Sequence, residues 1–155
     1  CLLYSSMKCL LQRVTHASVR IDDKVYSSIQ QGLCLFLGIS KMDATKDIDY
    51  LTRKILNLRI FEDEDGKMNK SVLDIHGEIL VVSQFTLYGN CEKGRRPSFG
   101  EAALPEDANT LYQEFVTRLK QELLAIKTGV FGASMKIDLV NDGPSTFLLE
   151  SPIRS

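Results

Sequence analysis

The sequence predicts a single α+β domain, a curved sheet, antiparallel or mixed, with two main helices. Three observations carry this. Strand-like apolar runs dominate the first third of the 155 residues. Helical periodicity is confined to a stretch at 44–57 and another that opens at Pro105. The chain has the length of one domain, 44% hydrophobic and 25% charged residues, and no repeats, low-complexity tract or internal linker.

The elements follow in order. Residues 1–6 are apolar but short, and lack the basic start and cleavage site of a signal peptide. They read as an extension, with Met7 as the natural start of a domain running from 7 to 155. Residues 8–14 form a strand-like run. Residues 18–21 and 25–29 flank Asp22-Asp23-Lys24, which reads as a hairpin turn. Residues 32–39 are nearly all apolar, as in a central strand covered on both faces. Asp43 is placed to cap a helix over 44–57, where Ile48, Leu51, Ile55 and Leu58 make one stripe. Arg59-Ile60-Phe61 extends, and 62–66 turns. Phe61 stands where an EF-hand needs its first ligand, so this acidic stretch reads as a solvated turn. Residues 78–84 read as another buried strand and 89–100 as a polar loop. Pro105 suits the first turn of a long helix, with a stripe of Leu111, Phe115, Leu119 and Leu123 widened by Tyr112 and Val116. Residues 135–140 and 145–150 read as a final strand pair around Gly143-Pro144.

Composition removes several classes of function. No apolar run reaches membrane-spanning length, so no membrane partner is expected. Cys1, Cys9, Cys34 and Cys91 contain no Cys-x-x-Cys, and only His16 and His76 could assist them, which argues against a zinc site. Cys9 and Cys34 sit in apolar runs and read as small buried hydrophobes. The expected setting is reducing and cytoplasmic. A net charge of −1 argues against indiscriminate coating of nucleic acid, while leaving room for a local basic patch.

Three segments carry candidate chemistry. Ser83-Gln84-Phe85-Thr86-Leu87 leaves an apolar strand. Its hydroxyls suggest a nucleophile, but that needs a base within reach, and neither histidine lies in a partner motif. The plainer use of Ser83, Gln84 and Thr86 is to satisfy backbone groups at a strand end. Gly143-Pro144 is commonly a turn. An X-Pro bond also adopts cis at modest cost, which redirects two successive carbonyls. Rigid carbonyls at a pocket wall would reject one hand of a substrate, because exchanging two substituents on Cα drives one into the wall. Lys93, Arg95 and Arg96 stand in the polar loop, either as a solvated charge run or as phosphate contacts for an RNA end. Phe85 and Phe99 could stack on a base, although core packing is the commoner fate of phenylalanine.

Taken in order, these segments resemble the D-aminoacyl-tRNA deacylases along nearly the whole chain. The matching pieces are Met7-Lys8, Gln12-Arg13-Val14, the run 53–63, the run 82–87, Lys93-Gly94 with Pro97 and Phe99, Gly129 with Phe131-Gly132-Ala133, and Asn141-Asp142-Gly143-Pro144. Ser83-Gln84 stands where related deacylases with a trans Gly-Pro motif carry Pro-Gln, so the resemblance is to the D-specific branch. It implies a cytoplasmic homodimer of barrel-like subunits, with no metal or organic cofactor. It implies D-aminoacyl-tRNA as substrate, and glycyl-tRNA mischarged onto a non-cognate tRNA. Gly143 and Pro144 of one chain, joined by a cis bond, would complete a pocket built on Ser83, Gln84, Phe85 and Thr86 of the other. Arg13 would anchor the Gly-Pro segment, and Met135 would line the pocket. Backbone groups of Phe85 and Ala108 would grip the terminal adenosine and the amino acid. Ser145 departs from the valine usual after Gly-Pro. The missing acid–base pair implies a reaction assisted by the RNA's terminal 2′-hydroxyl. Rival readings are a nucleic-acid-binding protein on the same fold, which would lack a basic tail since only Arg154 is charged in the last five residues, and a general esterase, which would lack a triad.

Overall fold

The computed structural model describes residues 6–122 and 124–153. In chain order it contains β1 (Lys8–Ile21), β2 (Lys24–Ile29), β3 (Gly32–Gly38), α1 (Thr45–Asn57), β4 (Phe61–Glu62), β5 (Met68–Lys70), β6 (Glu78–Ser83), α2 (Pro105–Lys120), β7 (Ile126–Thr128) and β8 (Lys136–Glu150). One mixed sheet runs β2-β1-β3-β6-β7, with β8 also paired to β1, and β4–β5 form a separate hairpin. The first half of β1 lies between β3 and β8, and its second half between β2 and β8. Sharing one long strand in this way curls the sheet into a nearly closed barrel. No helix among the described residues is long and apolar enough to cross a membrane.

The two strand-like runs at 8–14 and 18–21 are one strand. Thr15 and His16 interrupt the apolar pattern because they are exposed, yet β8 goes on pairing past them with shifts of register. The β1–β2 turn is also shorter than expected: Lys24 already pairs with Ile21. That leaves Asp22 and Asp23, at φ 51° and 62°, as the two left-handed residues of a type I′ turn. Aspartate tolerates this conformation because its short side chain can satisfy nearby backbone.

The core divides at the sheet. Leu33, Leu35 and Leu37 of β3 and Ile79 and Val81 of β6 face the helices, where they meet Ile48, Leu51 and Ile55 of α1 and Tyr112, Phe115 and Leu119 of α2. Cys34, Leu80 and Val82 point the other way, into the curl, with Val14, Val19 and Ile29. The parallel β3–β6 pair is therefore covered on both faces, which is why its sequence is continuously apolar. Leu58 falls just beyond α1 and is half-buried. Leu123 of the second stripe lies outside the described residues.

The start of α1 differs from expectation. Its N-cap is Ala44, not Asp43. The Asp43 carboxylate accepts instead from the Ser40 amide at 2.6 Å and the Ser40 hydroxyl at 2.7 Å, closing the preceding turn. Asp47 reaches back to accept from the Ala44 amide at 2.8 Å, and its charge also suits the first helical turn. The acidic turn after β4 is solvated, and the Asp63 carboxylate closes it by accepting from the Asp65 and Lys67 amides.

The expected final strand pair is absent. Residues Lys136–Glu150 are one strand, both halves of which pair with β1. A hairpin would require the halves to pair with each other, but the 14 residues of β1 offer an edge long enough for both. Gly143-Pro144 is accordingly no turn. It sits in a bulge where the register with β1 shifts between Gln12 and Val14, and its peptide bond is cis.

Candidate active site

β6 ends at Ser83, paired with Leu37 of β3, and the next amide, Gln84, donates to the Leu37 carbonyl at 2.7 Å. The chain then makes a short 3-10 helix, Phe85–Tyr88. Tyr88 anchors it inward. Its ring is buried, its hydroxyl reaches the carbonyls of Ser6 and, at 3.2 Å, Gly38, and burial drives its phenol pKa upward. With Tyr88 turned in, Phe85 and Thr86 face out, and Phe85 is 58% exposed. The same turn starts with amides that have no acceptor inside it, that of Phe85 being the first.

This strand end forms one wall of a cleft of about 550 Å³. Ser83, Gln84, Phe85, Ala108 and Met135 all line it. Phe99 lines it too, edge-on to Phe85 with centroids 5.0 Å apart at 65°. Neither ring belongs to the core, contrary to the commoner fate of phenylalanine, because the Tyr88 anchor and the 89–100 loop hold them at the rim. The lining is chiefly apolar with a few polar groups, as in small-molecule sites. Thr86 is adjacent but does not line the cleft, and its hydroxyl is hydrogen-bonded to the Gln84 side-chain amide. His16 and His76 are both exposed and neither lines it. A Ser-His or Thr-His pair is thus not assembled here.

Gly143 and Pro144 are exposed and lie elsewhere. Their bulge stands beside Arg13, which pairs with Leu33 at the start of β3, whereas the cleft uses Leu37 near its end. Four residues of strand place the two about 13 Å apart along β3. The bulge is firmly built. Arg13, nearly buried, donates from Nε to the Asp142 carbonyl at 3.0 Å and from Nη1 to the Ile60 carbonyl at 2.7 Å. Asn141 bridges the bulge, with Nδ2 donating to the Ser145 carbonyl at 3.0 Å and Oδ1 accepting from the Ser145 amide at 2.8 Å. Ser145 is buried. Gly143 has φ +144°, and a Cβ there would lie 2.4 Å from Ser145 Oγ, so no other residue fits without strain.

A profile of the D-Tyr-tRNA(Tyr) deacylase family matches residues 10–150. The chain belongs to the D-Tyr-tRNA(Tyr) deacylase family. Among curated relatives, it is 55% identical over 148 residues to the D-aminoacyl-tRNA deacylase of Geotalea daltonii, covering 96% of this chain and 99% of the relative. It is 55% identical over 145 residues to that of Thermosipho africanus, covering 94% and 97%. A solved c-Myc DNA unwinding element binding protein superposes with a TM-score of 0.89 at 48% identity, covering 94% of this chain and 99% of that one. A probable eukaryotic D-amino acid tRNA deacylase, at 17% identity and TM-score 0.79, shares the fold.

Within this deacylase framework the motif residues divide into two groups. Ser83, Gln84, Phe85, Ala108 and Met135 converge on the cleft, with Thr86 beside it. Arg13, Gly143 and Pro144 assemble at the bulge. The Ala108 amide is committed to the carbonyl of Leu104, the N-cap of α2, at 2.9 Å, so what Ala108 presents to the cleft is its surface rather than a free N–H. Lys93, Arg95 and Arg96 are exposed in the loop that delivers Phe99, and do not line the cleft. Leu104, 65% exposed at the cleft, and Asn141 at the bulge have no role on the sequence reading. Leu104 carries no local signal beyond preceding the helix-opening Pro105. Asn141 could have been found as a side chain able to bond backbone across an irregular strand.

Proposed function

We propose that this chain hydrolyses the ester linking a D-amino acid to tRNA, releasing free amino acid and tRNA, and that it does so as a homodimer with shared sites. Family membership over residues 10–150 supports the reaction. The shared site is carried by one observation: the two motif groups lie at opposite ends of β3, so a single chain does not bring Gly143-Pro144 to its own cleft. A second copy does so if its bulge enters. The bulge then supplies a rigid backbone wall. An L-amino acid would drive its side chain into that wall, a D-amino acid turns it away, and glycine, with no side chain, passes as well.

Among the described residues, none that lines the cleft is a base able to activate Thr86, whose hydroxyl accepts from the Gln84 side-chain amide. Catalysis therefore rests on position and on backbone N–H groups, that of Phe85 in particular, directed at the developing oxyanion. The terminal ribose 2′-hydroxyl assists the attacking water. Phe85 and Phe99 provide an aromatic rim for the terminal base, and Lys93, Arg95 and Arg96 contact phosphate.

The deciding experiment is hydrolysis of D-Tyr-tRNA beside L-Tyr-tRNA at equal enzyme concentration. We expect rapid loss of the D ester with the L ester intact, and Thr86→Ala should keep most of the single-turnover rate. Loss of both esters would remove the wall argument. Loss of neither, with nucleic acid still bound, would favour a binding protein, the reading suggested by the similarity to the DNA unwinding element binding protein.

A further inference from the structure

We propose that a cationic groove at the C-terminal end of α1 contacts phosphates of the tRNA whose 3′ end occupies the partner chain's cleft. The groove, of about 520 Å³, is lined by Tyr50, Arg53, Lys54, Asn57, Leu58 and Arg59. Three of these six are cations and none is a carboxylate, in a chain where 20 acidic residues outnumber 19 basic ones. All three cations are exposed, and among the described residues none forms an ion pair. Their hydrogen-bond and ring partners are neutral, although Arg59 also lies near enough to Asp74 to favour its charged form. Lys54 Nζ stands 5.7 Å from the centroid of the Tyr50 ring, and Arg59 Nε donates to the Asn69 carbonyl at 3.0 Å. Such contacts orient the charges without cancelling them. Arg53 and Lys54, which no carboxylate pairs with among the described residues, stand beside an amide and an aromatic ring and are suited to a phosphate backbone.

The groove is tied to the bulge. Arg13, which holds the Asp142 carbonyl, also holds the carbonyl of Ile60, the residue after Arg59. Groove and bulge therefore form one rigid end of the molecule, away from the chain's own cleft. The placement rests on the shared-site reading: a bulge that enters the partner's cleft carries this groove to its rim, where the remainder of the tRNA must leave. The groove would then add phosphate contacts that a lone terminal adenosine cannot make.

The test is the charge-reversal variant R53E/K54E. Both side chains are exposed, so the fold should survive, which thermal denaturation verifies. Binding of uncharged tRNA is followed by fluorescence anisotropy across a salt series. We expect Kd to rise at least about tenfold, and the slope of log K against log salt to become shallower by about 2, close to one for each lost phosphate contact. Unchanged Kd and slope would overturn the proposal. So would a DNA duplex of similar length that competes as well as tRNA, since the groove would then be a general duplex contact. In mixed dimers of Ser83→Pro and Pro144→Ala chains, the reversal should raise KM when carried by the Ser83→Pro chain, which donates the bulge, and not when carried by the other; the opposite pattern would overturn placement in trans. Because anisotropy needs no chemistry, a wild type that binds tRNA but leaves D-Tyr-tRNA intact would sink the deacylase reading and leave the groove to be judged on its own Kd.

Discussion

Single side chains set the dimensions of the cleft. Met135 lines it, and its thioether packs directly on Gly129, where a Cβ would fall 2.5 Å from Sδ. Gly129→Ala must therefore push the flexible end of Met135 toward the open space of the cleft. We expect kcat/KM for D-Tyr-tRNA to fall about tenfold, the effect of roughly one methyl in an apolar pocket. Stability should barely change, and Met135→Ala in the same chain should restore part of the rate. A variant with unaltered kinetics would show that the cleft floor does not touch substrate. Tyr112 gives a prediction about pH. Its hydroxyl donates to the Val81 carbonyl at 3.0 Å, and burial pushes its pKa from 10.0 up to about 12. The folded state thus holds the phenol proton more tightly than the unfolded state. The associated stability is complete below pH 10 and is lost as pH rises from 10 through 12. Buried Cys34, raised from 9.0 to about 12, acts in the same direction from pH 9. Urea midpoints should fall between pH 9 and 11.5, and Tyr112→Phe should blunt the fall; equal falls in both proteins would contradict this origin.

At the scale of elements, β8 is the decisive piece. One strand follows β1 along nearly all its length, and the only way to insert Asp142-Gly143-Pro144 is to bulge. Asn141 closes the bulge by its two bonds to Ser145. Asn141→Ala would leave the buried Ser145 amide without its partner, a loss of about 1–3 kcal/mol. If the bulge acts on substrate, discrimination between D- and L-Tyr-tRNA should deteriorate more than the urea midpoint does. Lost stability with intact discrimination would make Asn141 purely structural.

At the scale of the whole molecule, the separation of cleft and bulge makes a prediction about assembly. Ser83→Pro puts a rigid ring into the cleft wall where the chain leaves β6, and Pro144→Ala alters the bulge, so each variant alone should lose most of its activity on D-Tyr-tRNA. If the proposed homodimer forms, then after unfolding and refolding together half the dimers are mixed and each mixed dimer has one intact shared site. Activity should recover to roughly one quarter of wild type. No recovery, despite mixed dimers detected by mass, would count against a site built from two chains.

The sequence by itself determined the fold class and singled out motif residues that the fold gathers at the cleft and at the bulge. The continuously apolar β3 and β6, the stripes of α1 and α2, and the Ser83–Thr86 segment are legible because burial on two faces, helical periodicity and a strand end each leave a local pattern. The tertiary structure alone decided three things. Gly143-Pro144 is a bulge rather than a turn, because the length of β1 lies over a hundred residues away from the strand it straightens. Asp43 yields the cap position because Ser40 captures its carboxylate first. Phe85 and Phe99 face the cleft rather than the core because Tyr88, at the other end of the same short helix, is buried in their stead. Each depends on which group wins a shared partner or a shared space, and that competition is settled only when distant parts of the chain meet.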